Sequence, residues 1–318
     1  MKKITLIILM VLFAATGMFA QQYSFSGTSG KAGFNLVESK STGVQVIHSV
    51  PEFTLEDFVI DGKSVKNINL PGNFLFNETG MPNLPGKGKY IAIPQGATPK
   101  LRIVSQHTET IHNVDIAAAP RIPLDNDDRP LDYSKNMEVY SKNAFYPASP
   151  VSISEVAQIR GVDAVILGIT PFQYNPVTKD LVVYTNLQVE IAFEGGNGKF
   201  GNESFRSAWW EPILQDNLMN FTSLPVVDFS ARLQSYGKAP LTDECEYIII
   251  CPTGDAFLSW ADSIRKFRTE QGILTKVFTV DEVGGNTEAA IEAFIDDAYN
   301  NWTIKPVACL LLADYGAD

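Results

Sequence analysis

The sequence predicts a β-rich sandwich or barrel-like domain followed by the start of an α/β domain built as βαβαβ. Three observations carry that expectation. From Gln21 to about Gly201, short apolar segments, several of them alternating, are separated by Gly and Pro. From Glu246 to Ala313, three apolar strands alternate with two amphipathic helical runs, the order of a parallel sheet with crossover helices. The charge is also unevenly spread. Of the formal −11, the residues from Leu241 onward carry 5 basic and 14 acidic side chains, while the preceding 240 are near balance. A chain of 318 residues has room for two such domains.

At the start of the chain Lys2 and Lys3 precede an apolar run from Ile4 to Ala15, and small or apolar residues lead to Ala20 before Gln21 and Gln22. This pattern predicts a Sec signal peptide over residues 1–20, and hence a secreted or cell-surface protein. The run is short of a bilayer span and no later stretch is long enough, so no membrane span is expected once the signal is removed. The acidic balance disfavours nucleic acid as a partner, which calls for a basic surface.

Residues 21–201 read as the β-rich domain. GFNLVES, VQVIHSV, FTLEDFVI, KYIAIP, KLRIVSQ and HTETIHNVDI are its first segments, punctuated by Asp61-Gly62, Pro71-Gly72, Pro85-Gly86 and Pro94-Gln95-Gly96. The Pro-rich stretch from Pro120 to Pro150 cannot be a continuous helix and is expected to lie over a surface as an extended loop. Val151 to Phe193 is more tightly patterned. NPVTKD forms a reversal between two strands, and Val182, Tyr184, Leu187, Val189, Ile191 and Phe193 alternate as one buried face, with a slip at Thr185-Asn186 that predicts a bulge. Arg160, set before Gly161 among apolar residues, is expected at an edge or in a hydrogen bond.

Residues 202–240 read as a partly helical segment and a linker. Phe205, Trp209, Ile213, Leu214, Leu218 and Phe221 have helix-like spacing broken by Pro212, and Trp209-Trp210 is expected to pack. Arg232 and Lys238, near Gly and Pro between two compact parts, are the candidate processing residues.

Residues 241–318 form the α/β part. Tyr247 to Cys251 is the first strand. The following helix is expected to turn Phe257, Trp260, Ala261, Ile264 and Phe267 to one face, with Asp255 in its first turn and Gly272 as its cap. Leu274 to Val280 is the second strand, and a helix with Ala290, Ile291, Phe294, Ala298 and Trp302 follows Gly284-Gly285. Val307 to Ala313 is the third strand. The chain ends just past the carboxyl end of that strand, where α/β folds begin to place their chemistry, so the active site is expected to be incomplete. Asp314, directly after the strand, is the candidate acid close to an active site.

Nucleotide and serine-hydrolase signatures are missing. Pro252-Thr-Gly lacks the glycines and lysine of a phosphate loop, Gly284-Gly285 lacks the spaced glycine fingerprint, and G-x-S-x-G does not occur. Cys245, Cys251 and Cys309 are an odd number set on or beside core strands, which suits buried free thiols; a Cys245–Cys251 pair is the alternative. The histidines, His48, His107 and His112, all precede the α/β part and suit structural or solvent roles, so no Cys–His pair lies within 241–318 and no catalytic, metal or cofactor residue is assigned.

The segments EYIIICP, FLSWADSIRKFRTEQGILTKVFTVDEVGG, IEAFIDDAYNNW and PVACLLLADYGAD resemble the opening of the gingipain-type cysteine peptidases, family C25 of clan CD with a caspase-like fold. The strand LLLAD carries Ala313 where the family has Gly. ISEVAQIRGVDAVILGITPFQYNPVTKDLVVYTNLQVEIAF is similar to the end of the family's propeptide. The resemblance implies the N-terminal part of a secreted cysteine endopeptidase zymogen, in which residues 21–240 act as an inhibitory or chaperone prodomain packed on its own catalytic domain. The parent would cut protein or peptide substrates through a Cys and His located downstream, and the chain itself is expected to be inactive. It also implies that a basic residue of a prodomain loop fills the specificity pocket, with Arg121 and Arg129 as candidates, and that the parent binds calcium and carries a C-terminal sorting domain. The rival expectation is a non-catalytic secreted or cell-surface binding or assembly protein with a degenerate peptidase-like domain.

Overall fold

The computed structural model describes residues 20–73, 78–121, 123–126, 128–229 and 244–313. The first part contains three antiparallel sheets. Strands β1 (Ala20–Ser24), β4 (Glu52–Ile60) and β5 (Lys63–Asn69) form one, in the order β1-β4-β5. In the second, β10 (Val162–Ile169) lies between β6 (Lys87–Ala92) and β8 (Val151–Ile153), and β9 (Ala157–Ile159) also pairs with β10. The third runs β11 (Phe172–Asn175), β12 (Asp180–Gly195), β3 (Gly43–Ser49), β2 (Gly33–Lys40), with β7 (Ala97–Ile111) paired to β12. The expected segments KLRIVSQ and HTETIHNVDI merge into the single strand β7 up to Ile111.

Two hydrophobic cores lie between these sheets, and β12 enters both. Leu181 and Val183 join Phe53, Leu55, Phe172 and Tyr174 in one core. Tyr184, Leu187, Val189, Ile191 and Phe193 join Val44, Ile91, Val165 and Leu167 in the other, with Val182 packed against it. Side chains alternate between faces along a strand, so passing from even to odd residues on one face requires an extra residue. Thr185 is that residue: the pairing with β7 skips from Tyr184 to Asn186. The predicted slip is therefore a bulge that connects two cores. Its Oγ1 donates to the His107 carbonyl at 3.2 Å, and its carbonyl accepts from the Val50 amide at 2.9 Å.

The NPVTKD reversal is held by Asn175, whose Oδ1 accepts from the amides of Val177 and Thr178. Within the Pro-rich stretch a one-turn helix, α1 (Met137–Tyr140), turns Tyr140 into the core that holds Phe172. The run from Phe200 to Phe221 is not one interrupted helix. Two 3₁₀ turns, Glu203–Phe205 and Phe221–Ser223, flank α2 (Glu211–Asn217), and Pro212 sits in the first turn of α2. Proline lacks the amide that a helix interior needs, but a first turn does not use it, so Pro212 starts a helix instead of breaking one.

The second part is the expected βαβαβ unit. β13 (Tyr247–Cys251) lies between β14 (Thr275–Thr279) and β15 (Ala308–Leu311), both parallel to it. Helices α3 (Asp255–Glu270) and α4 (Glu288–Asn301) make the connections. Gly272 takes the left-handed φ of +83° that ends α3. The buried stripe of α3 differs from expectation: Phe257, Leu258, Ala261 and Ile264 meet the sheet, whereas Trp260 and Phe267 fall on its flank and are exposed. The thiols are free, and Cys309 is exposed on β15 instead of buried.

His48 on β3 is fully buried, with Phe34 edge-on to its ring at 5.0 Å. Burial pushes its pKa down to about 4, opposed by Asn73 and reinforced by the charge of Lys87. An unfolded chain binds a proton on this residue at a higher pH than the folded one does. Stability is therefore expected to fall by roughly 3 kcal/mol as pH drops from the ordinary histidine value through the folded one. Denaturant titrations of His48→Asn beside the parent check this, because the variant loses that part of the acid sensitivity.

Candidate functional site

The two parts meet around a single turn. Arg160 and Gly161 link β9 to β10, with φ of +49° and +74°, the pair of positive angles that a two-residue hairpin link requires. A side chain built on Gly161 would come within 2.8 Å of Phe205 Cβ, so glycine is demanded by both the angle and the contact. Gly161→Ala is expected to cost about 1–3 kcal/mol through backbone strain and crowding, read as a lowered Tm.

This turn directs Arg160 at the α/β part. Its Nη1 donates to the carbonyl of Pro306 at 3.1 Å. The guanidinium lies 5.6 Å from the Trp210 ring and 5.7 Å from the Tyr299 ring, the latter on α4. Its Nε and Nη2 are buried without a hydrogen-bond partner among the described residues. Burial draws the Arg160 pKa below its usual value, and the neighbouring Tyr299 opposes that shift. The charge is held by two aromatic faces and one carbonyl, a weakly hydrated environment that guanidinium tolerates better than ammonium does.

A second bond lies beside it. Trp210, which precedes α2, donates its indole N–H to the Val307 carbonyl at 3.3 Å. Phe205 packs on Tyr299 with ring centroids 5.0 Å apart, and the Lys305 ammonium sits 5.1 Å from the Phe205 ring. The backbone of 305–307, which leads into β15, is thus fixed by side chains of the first part. The bridging segment is braced from within. Arg206, 3% exposed, forks onto the Glu211 carboxylate, with Nε to Oε2 at 3.1 Å, and donates Nη1 to the Pro225 carbonyl at 2.6 Å. A cleft of about 220 Å³ runs along this junction, lined by Ser204, Trp209, Glu246, Gln271 and Lys305 among others.

Sequence reasoning expected Arg160 at an edge or in a hydrogen bond, and the structure supplies an acceptor, the Pro306 carbonyl. It gave Trp210 a packing role and Phe205 a place in a helical stripe, and did not single out Tyr299 or Lys305. Arg121 and Arg129 are not part of the junction. The half-buried Arg121 donates its amide to the Asp132 carbonyl at 3.3 Å, and Arg129 is exposed. Arg232, Lys238 and Asp314 lie outside the described residues. No thiol is activated: burial pushes Cys245 up to about 12 and moves Cys251 upward, and partial cover raises Cys309 as well. Among the described residues no group of three or more His, Cys, Asp or Glu side chains converges to hold a metal ion.

A β-rich part joined to the first parallel strands of an α/β part is matched, in that order, by two family models. Propeptide_C25 covers residues 28–221, and Peptidase family C25 covers residues 241–317. The chain belongs to this gingipain-type family, as a C25 propeptide followed by the start of a C25 peptidase domain. It is 23% identical over 329 residues to Lys-gingipain HG66 of Porphyromonas gingivalis, a match covering 99% of this chain and 18% of the relative. Gingipain R1 of the same organism is 26% identical over 246 residues, covering 75% of this chain and 23% of the relative. The chain therefore spans about a fifth of the length of these relatives. One chain of the complex of the pro- and mature domains of Porphyromonas gingivalis RgpB is similar in fold over 59% of this chain and 97% of that one, with a TM-score of 0.52 and 21% identity.

Proposed function

We propose that the chain is the N-terminal portion of a secreted cysteine endopeptidase zymogen. Residues 1–20 serve as its signal peptide and residues 21–240 as an inhibitory or chaperone prodomain packed on the opening of its own catalytic domain. The observation that carries this reading is the junction, where Arg160 and Trp210 of the first part hold the carbonyls of Pro306 and Val307 just before β15. In the parent, a Cys thiolate attacks the substrate carbonyl, a His serves the leaving amine, and backbone amides hold the oxyanion. Removal of the prodomain follows a cut after Arg232 or Lys238, and Arg121 or Arg129 fills the specificity pocket until then. Calcium and a C-terminal sorting domain belong to the same reading of the parent.

The test is to purify the secreted parent and follow peptide hydrolysis while sequencing the new N-terminus. Activity is expected to appear with cleavage after Arg232 or Lys238. Full activity with the prodomain attached overturns latency, and a parent that never hydrolyses peptides favours the non-catalytic surface protein. The 318-residue chain is itself expected to show no hydrolysis sensitive to thiol alkylation, because its thiols are not activated and residues 241–318 contain no histidine.

A further inference from the structure

Gln21 and Gln22 come directly after Ala20, the last residue of the proposed signal peptide. Both lie on β1, an edge strand that among the described residues pairs with β4 alone, Gln21 opposite Leu55 and Tyr23 opposite Phe53. Directly opposed residues of an antiparallel pair share a face, so Gln21 stands on the face that carries Tyr23, Phe53 and Leu55. Tyr23 stacks on Phe53 with ring centroids 5.1 Å apart, and Phe53 and Leu55 are buried in the core that holds Phe172. Gln21 itself is exposed near the open end of the strand. The two glutamines differ in their engagement. Gln22 belongs to the other face, and its Nε2 donates to Glu52 Oε2 at 3.1 Å. The Gln21 carboxamide has no hydrogen bond among the described residues.

A cut after Ala20 gives Gln21 a free α-amine, and attack of that amine on its own side-chain Cδ closes a five-membered ring. We propose that Gln21 is a modification site, the N-terminus of the exported chain, closed to a pyroglutamyl residue; the inference rests on the signal peptide proposed above. The α-amine is partly unprotonated, and so nucleophilic, at neutral pH. The N–Cδ bond forms, the Cδ–Nε2 bond breaks, and one amine proton leaves with Nε2 as ammonia. The step consumes no oxidant, reductant or co-reactant. β1 is built for the closed form. The carboxamide of Gln21 is free to turn back on the amine, while that of Gln22 is held by Glu52. The lactam keeps one N–H on the former amine, so the strand loses a charge but no backbone donor. A neutral ring also continues the face of Tyr23 and Leu55 without desolvating an ammonium. An end without an α-ammonium gives an aminopeptidase nothing to grip, which guards an edge strand whose loss would uncover Phe53.

The experiment is mass spectrometry of the exported zymogen, its free amines acetylated with a heavy-isotope reagent before digestion after glutamate. Acetylation caps any open Gln21, so ring closure during handling is not mistaken for closure in the protein. The peptide 21–38 is expected to carry the heavy acetyl group on Lys31 only and to be lighter by one ammonia. A heavy acetyl group on Gln21 with the ammonia retained overturns the proposal and leaves the signal peptide standing. A chain that begins at any other residue overturns the boundary after Ala20 and the proposal with it. Aminopeptidase is further expected to leave the end of the parent intact and to shorten the Gln21→Ala variant, whose unchanged melting curve confirms folding. Equal shortening of the two overturns the proposal.

Discussion

Deleting Thr185 is expected to abolish cooperative folding of the β-rich part. Without the bulged residue, β12 must either lose its register with β7 or turn every residue after Tyr184 to the opposite face. Leu187, Val189 and Ile191, all fully buried, would then exchange places with Gln188 and Glu190. Each displaced aliphatic side chain costs about 2 kcal/mol, and Glu190 would also lose its 2.6 Å contact with Arg102 on entering an apolar core. The total is of the order of a whole domain's stability, about 5–15 kcal/mol. Thr185→Ala keeps the extra residue and removes only the bond to the His107 carbonyl, so about 1 kcal/mol is expected. Circular dichroism melts of the two variants separate register from side chain. A cooperative transition near the parental Tm in the deletion would refute the two-core account of β12.

Trp210→Ala is expected to open the junction. The substitution removes a half-buried indole, its hydrogen bond to the Val307 carbonyl and one of the two aromatic faces over Arg160, at a cost of about 3 kcal/mol. That corresponds to a rise of roughly 100-fold in the open population, read as faster proteolytic nicking between the two parts. The neighbouring Trp209 is the control: it is 45% exposed, and its replacement by Ala is expected to stay within about 0.5 kcal/mol. Arg160→Met gives the informative contrast. It sacrifices the bond to Pro306 but relieves a buried charge with two nitrogens unpaired among the described residues, so its cost is expected to be below that of Trp210→Ala. Equal nicking of the Trp209 and Trp210 variants would remove Trp210 from the junction.

Some of this architecture was legible in the residues because a local period or a local special residue encodes it. The bulge at Thr185 follows from a change of parity in one strand, and the βαβαβ unit follows from the apolar runs around β13 and β15 and the amphipathic helical runs that alternate with the strands. Strands β1 and β5 were not legible. AQQYS is exposed along nearly its whole length, and KSVKNIN buries just Val65 and Ile68, so neither shows a run of apolar residues. β7 was read as two segments because its outer half, from Ile103 to Thr110, is exposed on both faces and has no apolar alternation. Trp260 and Phe267 misled the reading of α3, since helical spacing assigns a side chain to a stripe but not to its centre or flank. The junction was the least legible. Arg160 drew notice for its place before a glycine, but its partners Tyr299 and Pro306 come from far along the chain, and no local pattern names a carbonyl as an acceptor.

The two bolts of the junction span 146 and 97 residues of sequence. A chain is delivered to the compartment where it folds from its N-terminus, and domains generally fold as they emerge. On that order Arg160 and Trp210 stand on a folded β scaffold before Pro306 and Val307 arrive. When that loop arrives, two donors already mark where its backbone goes and so set the position of the strand that follows it. The late-made half of the sheet is assembled against a template made earlier, and the closure entropy of those long loops is met by a scaffold that is already rigid.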